Sequence, residues 1–302
     1  MKILVIPDIH HKFVRAQAIV DSVEHDRVVF TGDYFDSIGG TVEDARNTAI
    51  WLKEKVLYNP KAVVLIGNHD ASYLWPNNIN FWCSGFTAEN SVAINGVLNQ
   101  EDKNRFKVFH IEENFAFSHA GLSNRLWQEM LGKYPSNPGK STLDFFSEVL
   151  EAFVASALID ANHGRNAILF GAGYDRRGTQ PIGGITWQDW RYFAPINGVN
   201  QIVGHTTSRL PRILIQKEGG AVSQKTILDH YQHERMVEET NAHRGTTKPK
   251  RILSTNYNFD TGLNHYAVIE DGRVDIYDQL LRVNLRDVSK YAIPTSELNN
   301  LT

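Results

Sequence analysis

Short apolar runs alternate with helical-period segments over the first part of the chain. Ile3–Ile6, Val28–Phe30 and Ala62–Ile66 are runs of strand length bounded by polar residues, which predicts buried strands. After the first run, Phe13, Val14, Ala16, Ala18, Ile19, Val20 and Val23 recur with helical rather than alternating spacing. Thr41 with Asp44 three residues on predicts a helix start, carried forward by Ala45, Ala49, Ile50, Leu52 and Val56. Strand, helix, strand, helix, strand is the α/β order and predicts parallel pairing.

The pattern then loosens. Between about Ser72 and Glu101 aromatics and asparagines crowd together (Tyr73, Trp75, Phe81, Trp82, Phe86), which predicts irregular chain with one helix. Lys107–Ile111 and Phe115–Ser118 predict a hairpin, and Leu122–Leu131 and Thr142–Leu158 predict helices. Gln201–Val203, Ile213–Gln216, Lys225–Leu228, Tyr257–Phe259, Tyr266–Glu270 and Val274–Tyr277 read as strands. Asp271-Gly272 is the turn signal between the last two. His233–Lys250 reads as a polar loop, and no internal repeat is visible.

Composition narrows the class. A chain of 302 residues, 42% hydrophobic and 22% charged, suits an ordinary globular protein. A net charge of -3 and a pI of about 6.5 provide no global basic field for nucleic acid or an anionic membrane, although a local basic groove stays open. No apolar run approaches the roughly 20 residues that span a bilayer. Ile3–Ile6 already reads as a strand and leaves no room for a signal peptide, so a cytoplasmic location is expected. The lone Cys83 rules out an intramolecular disulfide and removes cysteine-based metal sites.

The chemistry lies in where the polar residues fall. Asp8 and His10 follow the first strand, Asp33 and Asp36 the second, and Asn68, His69 and Asp70 the third. The C-terminal edge of a parallel sheet is where ligands bind. Carboxylate, imidazole and amide oxygen together suit Mn²⁺, Fe²⁺, Zn²⁺, Co²⁺ or Ni²⁺. Any one of these residues alone reads as a helix cap or a structural histidine; the ordered set is what points to a site. His119 and His205 repeat the pattern after Phe115–Ser118 and Ile202-Val203, with small neighbours that let the backbone approach an ion.

These motifs resemble the calcineurin-like metallophosphoesterases, whose ordered signature is D-x-H, G-D-x-x-D, G-N-H-[DE], a later H, and G-H-x-[HT]. Here they read Asp8-Ile9-His10, Gly32-Asp33-Tyr34-Phe35-Asp36, Gly67-Asn68-His69-Asp70, His119 and Gly204-His205-Thr206-Thr207, over roughly two thirds of the chain. His119-Ala120-Gly121-Leu122-Ser123, Ile185–Asp189 and Phe259-Asp260-Thr261-Gly262 are similar to segments of the branch holding PPP-type protein phosphatases and bacterial diadenosine tetraphosphatases. Thr207 stands where nucleases and many phosphodiesterases of the superfamily carry a second metal-binding histidine. Two departures are plain: His11 replaces a glycine after D-x-H, and Ser37 replaces a phosphate-gripping arginine after G-D-x-x-D.

The resemblance implies an α/β fold, a metallophosphoesterase β-sandwich of two mixed sheets flanked by helices. It implies one domain over residues 1–302 with insertions at about 72–108 and 126–199. It implies two divalent ions, Mn²⁺ foremost, one on Asp8 and His10 and one on Asn68, His119 and His205, with Asp33 bridging. Such a pair activates a water and stabilises attacking and leaving oxygens. His69 becomes the acid, oriented by Asp36. For the missing arginine, Arg191 is the first candidate, with Arg176 and Arg177 beside it. The implied reaction is hydrolysis of phosphomonoesters or phosphoanhydrides, in a phosphorylated small molecule, a nucleotide or a phosphoprotein. A nuclease or cyclic nucleotide phosphodiesterase is the alternative, disfavoured by Thr207 and the acidic balance, and a non-catalytic scaffold is a third. No membrane partner is expected.

Overall fold

The computed structural model describes residues 1–134, 142–219, 222–226, 251–279 and 283–284. The chain opens with β1 (Lys2–Ile6), α1 (Phe13–Ser22), β2 (Arg27–Phe30), α2 (Val42–Trp51) and β3 (Ala62–Val64). β1 pairs in parallel with β2, and β2 with β3. Thr41 caps α2 reciprocally: its hydroxyl accepts the Asp44 N–H at 3.1 Å, and the Asp44 carboxylate accepts the Thr41 N–H at 2.9 Å. The helix does not run unbroken to Val56; Leu52–Val56 is a π-helical stretch.

The segment expected to be irregular with one helix is more ordered than that. It holds the end of α3 (Asn68–Leu74), a 3₁₀ turn at Ile79–Phe81, then α4 (Ala88–Asn95) and α5 (Gln100–Lys103). The reason is capping. The Thr87 side chain accepts the Asn90 N–H at 3.0 Å, and the Asn99 side chain accepts the Asp102 N–H at 3.0 Å. Polar residues that disfavour a helix interior here begin helices.

β4 (Phe109–Glu112) and β5 (Phe115–Ser118) form the expected hairpin. α6 (Asn124–Leu131) starts after Ser123 rather than at Leu122, and α7 (Thr142–Asn162) runs one turn beyond Leu158. Then come β6 (Asn200–Val203), β7 (Arg212–Lys217), β8 (Val222–Thr226), β9 (Ile252–Asn258), β10 (His265–Glu270), β11 (Arg273–Asp278) and β12 (Val283–Asn284). The strand expected at Lys225–Leu228 lies earlier, as β8, and its last two residues fall outside the described ones, as does the polar loop expected at His233–Lys250.

Two six-stranded mixed sheets result, ordered β12-β11-β10-β1-β2-β3 and β4-β5-β6-β9-β7-β8. Ile3 and Val5 of β1, Val29, Ile269, Phe117, Ile202 and Ile213 share the buried core between the sheets. Leu4 and Ile6, the alternate residues of β1, join Ile19 of α1 and Ala45 and Ala49 of α2 in a second core. β1 is thus covered on both faces, which is why it reads as a continuous apolar run. Each buried valine, leucine, isoleucine or phenylalanine among them contributes about 1.5–3 kcal/mol. β5, β6 and β9 are also mutually parallel, so each sheet has three strands ending together. Among the described residues, no helix is long and apolar enough to cross a membrane.

Candidate active site

Six strand ends meet. Asp8 and His10 follow β1, Asp33 and Asp36 β2, Asn68 and His69 β3, His119 β5, His205 β6 and Asp260 β9. The backbone turns sharply there. Of nine non-glycine residues with positive φ among the described ones, five are His10, His11, Asp33, Asp36 and His205. Each costs about 1–3 kcal/mol, and clusters of such strain mark functional sites.

Asp33 is the hub. Its carboxylate lies 3.3 Å from His119 Nε2 and 3.8 Å from His10 Nε2. Asn68 Oδ1 is 3.0 Å from His119 Nε2 and 2.9 Å from His205 Nδ1. Two donor groups emerge, Asp8–His10–Asp33 and Asp33–His119–His205, each with its donor atoms within 4.8 Å of one another. All six residues expected around the ions therefore converge, and Asp33 belongs to both groups.

Neighbouring groups set the tautomers. His119 Nδ1 donates to the Thr31 carbonyl at 2.9 Å, and His10 Nδ1 donates to the carbonyls of Phe35 and Asp36 at 3.1 and 2.5 Å. Both rings therefore turn Nε2 toward Asp33, the backing that metal-binding imidazoles require. The His205 N–H donates to Asp8 Oδ2 at 2.9 Å.

Close packing accounts for two glycines. A Cβ on Gly67 would lie 2.0 Å from Asp33 Oδ1, and one on Gly204 would lie 1.9 Å from Asp8 Oδ1. Asp70 ties two loops together, accepting the N–H groups of Asp33, Tyr34 and Gly67 at 2.7, 2.9 and 2.8 Å. Burial, reinforced by Asp33, raises its carboxyl to about 7.

The charge balance calls for a cation. Asp8, Asp33, Asp70 and Asp260 are all buried. Burial, with Asp260 beside it, pushes Asp8 well above the carboxylate range. Burial would raise Asp33 too, but His119, His69 and His10 hold it well below its ordinary value. Burial would lower His119, yet Asp33 and Asp8 hold it up to about 9; burial and His119 in turn press His205 far down. His205 Nε2 is buried with no hydrogen-bond partner. Buried like charges and an orphaned imidazole nitrogen fit divalent ions, which would replace the protons now shared by the histidines.

His69 stands beside this centre, its ring 5.3 Å from that of His10 and edge-on to it. His69 Nδ1 is 2.9 Å from Asp36 Oδ2, and Tyr73 donates its hydroxyl to Asp36 Oδ1 at 2.5 Å. Burial would lower His69, but Asp33, the Asp36 hydrogen bond and Cys83 hold it well above its ordinary range. Tyr73 was not singled out by motif; its place one helical turn after His69 was the available signal. The other aromatics of its segment are mainly core, with Trp75, Phe81 and Phe170 packed together.

A cavity of about 610 Å³ opens here, lined by His10, Lys12, Asp36, His69, Thr207 and Asp260 among others. None of Arg176, Arg177 and Arg191 lines it. Asp189 takes up two of them: Arg191 binds both its oxygens, at 3.0 and 2.8 Å, and Arg176 Nε lies 2.8 Å away as an ion pair. Burial opposes the shift, but those guanidiniums hold Asp189 down at about 2. Arg177 sits in a left-handed turn, φ 62°. Lys12 does line the cavity, its ammonium donating to the Gly262 carbonyl at 3.1 Å. Its spacing, two residues past His10, was the sequence signal. Thr207 donates to Asp260 Oδ2 at 2.5 Å.

The model of the calcineurin-like phosphoesterase family matches residues 1–209, and the chain belongs to that family. It is thereby a phosphoester hydrolase of a class that uses divalent metals, with donor groups in place for them. Among solved structures it is similar to the cold-active protein tyrosine phosphatase of the psychrophile Shewanella sp., at 10% identity and a TM-score of 0.47 over 92% of this chain and 78% of that one. It is also similar to a metallophosphoesterase from Sphaerobacter thermophilus, at 15% identity and a TM-score of 0.40 over 100% and 98%. A protein serine/threonine phosphatase from Saccharomyces cerevisiae shares 13% identity and a TM-score of 0.39 over 92% and 80%. No curated protein matches the chain.

Proposed function

We propose that this protein hydrolyses phosphomonoesters or phosphoanhydrides with two divalent ions, Mn²⁺ foremost. The observation that carries this is the pair of donor groups sharing Asp33. Asp8, His10 and Asp33 would hold one ion, and Asp33, Asn68, His119 and His205 the other. When bound, such ions lower the pKa of water and offset phosphoryl charge. The chain's own part is positioning and proton transfer. Lys12, on the cavity wall, would bind a substrate phosphate oxygen, a role for which the three arginines are less well placed. His69, kept protonated by Asp36 and Asp33, would give its proton to the leaving oxygen. Asp36, fixed by Tyr73, would hold the imidazole in line.

Thr207 favours a monoesterase over a nuclease or cyclic phosphodiesterase, because its hydroxyl is spent on Asp260 and offers no imidazole. The test compares p-nitrophenyl phosphate with its bis-ester in Mn²⁺, followed by phosphopeptides, nucleotides and dinucleoside polyphosphates. Preference for the monoester supports the proposal. Preference for the bis-ester shifts it to the diesterases, and no turnover with any divalent metal refutes catalysis.

A further inference from the structure

The sole cysteine was set aside above as a metal ligand, but the fold places two other potential ligands beside it. Cys83 follows the 3₁₀ turn at Ile79–Phe81, which carries its Sγ to 3.5 Å from His69 Nδ1. Asp36 Oδ2 is 2.9 Å from the same nitrogen, and the three donor atoms all lie within 4.8 Å of one another. The geometry points to a third metal site, built from His69, Asp36 and Cys83, that takes a thiophilic divalent ion such as Zn²⁺ or Cd²⁺ and switches the enzyme off. The inhibitory part rests on the reading of His69 as the acid.

The spacing suits the ion. With Zn–N near 2.0–2.1 Å and Zn–S near 2.3 Å, neighbouring donors of a tetrahedron stand about 3.5 Å apart. The His69–Cys83 separation matches that edge, and the His69–Asp36 pair must open by only about half an ångström. The donors are also anchored. Cys83 Sγ is 3.3 Å from Ser72 Oγ and 3.7 Å from the Asn68 carbonyl, while Tyr73 holds the other oxygen of Asp36. Access is open, because Asp36, His69, Ser84 and Gly85 line the 610 Å³ cavity, leaving a fourth position for water.

Ligand softness separates this site from the two-ion centre. Thiolate favours Zn²⁺ and its heavier congener, whereas Mn²⁺ prefers oxygen-rich sets. Binding displaces the thiol proton and the proton shared by His69 and Asp36, with no change in oxidation state. The ion then occupies the ring nitrogen that Asp36 orients, and His69 is left a neutral, metal-bound imidazole whose remaining Nε2–H is a far weaker acid than an imidazolium.

Cadmium makes the test specific, since a thiolate–Cd²⁺ charge-transfer band reports Cys83 alone in a chain with one cysteine. Mn²⁺-loaded protein is titrated with Cd²⁺ while the near-ultraviolet band is followed, and Zn²⁺ inhibition of turnover is measured in parallel. The expected result is a band saturating at one equivalent, with inhibition over the same range for Zn²⁺. Cys83→Ser should lose the band and need about tenfold or more Zn²⁺ for half-inhibition, measured against that variant's own Mn²⁺-supported turnover. Asp36→Asn should weaken Cd²⁺ binding by a similar factor. No band in the wild type, or Cd²⁺ affinity unchanged in Asp36→Asn, overturns the site. A band without inhibition upholds the site and instead overturns His69 as the acid.

Discussion

Replacing Tyr73 with Phe removes one hydroxyl from the machinery around His69 and little else. The ring is fully buried against Phe35 and Phe86, with centroids 5.5 and 5.3 Å away, and phenylalanine keeps those contacts. Burial and the neighbouring Asp36 push the phenol far above its ordinary value, so it donates at every working pH. Its hydrogen bond goes to a carboxylate that is itself buried, and such charge-assisted bonds contribute about 1.5–3 kcal/mol. Thermal unfolding should therefore show Tm falling by about 3–10 °C.

The same energy caps the kinetic effect. If the bond acted only in the transition state, its loss would slow kcat by about 10–150-fold. Part of it is already present in the ground state, so a loss of roughly tenfold is expected, below the 10²–10⁴-fold of a deleted general acid. The defect should grow with leaving-group pKa, small for activated aryl phosphates and full for alkyl phosphates. Losing Tyr73 also leaves more charge on Asp36 facing His69, so His69 holds its proton to higher pH and the basic limb of the kcat profile moves up. His69→Asn, measured beside it, should show the steeper leaving-group dependence with metal content intact. An equal loss across leaving groups, or a basic limb that moves down, would refute the Tyr73–Asp36–His69 chain.

Asp33→Asn should lower the occupancy of both ions, whereas His205→Ala should deplete mainly one; elemental analysis after Mn²⁺ loading reads the difference. Lys12→Ala should raise KM by about tenfold, the value of one charge-assisted phosphate bond, with kcat largely kept. Arg191→Ala should leave KM within about twofold, because Asp189 already holds that guanidinium; equal shifts in the two variants would remove the special role of Lys12. His119 keeps its proton below about 9, so an incoming ion must displace it, and Mn²⁺ affinity should climb as pH rises toward that value. Calorimetry at pH 7 in two buffers of different ionisation heat should reveal the released proton, and none released would contradict the assignment.

Periodicity and the Thr41–Asp44 cap, both local, were legible in the chain. The apolar runs at Ile3–Ile6, Val28–Phe30 and Ala62–Ile66 predicted parallel strands, and the polar residues directly after them predicted one edge, because strand direction places whatever follows a strand at its C-terminal end. The ordered motifs carried the rest of that reading, down to Asp33 as the residue common to both donor groups. What local pattern does not hold is which distant surfaces meet. The caps of α4 and α5 are local too but went unread: the Thr87 and Asn99 side chains turn back to N–H groups three residues on, and composition alone reads such residues as loop. Arg191 looked free to grip phosphate until Asp189, two residues earlier, closed on its Nε and Nη2. Lys12 reached the cavity because α1 starts just beyond His10 and Gly262 of a far segment comes within 3.1 Å. Cys83 was discounted for want of a second cysteine, yet a 3₁₀ turn sets it against the imidazole of His69 in α3 and the carboxylate of Asp36 in the loop after β2. A residue's type and its strand end are sequence properties; its partners depend on chain segments up to hundreds of residues away, and only the packing of the two sheets brings those within bonding distance.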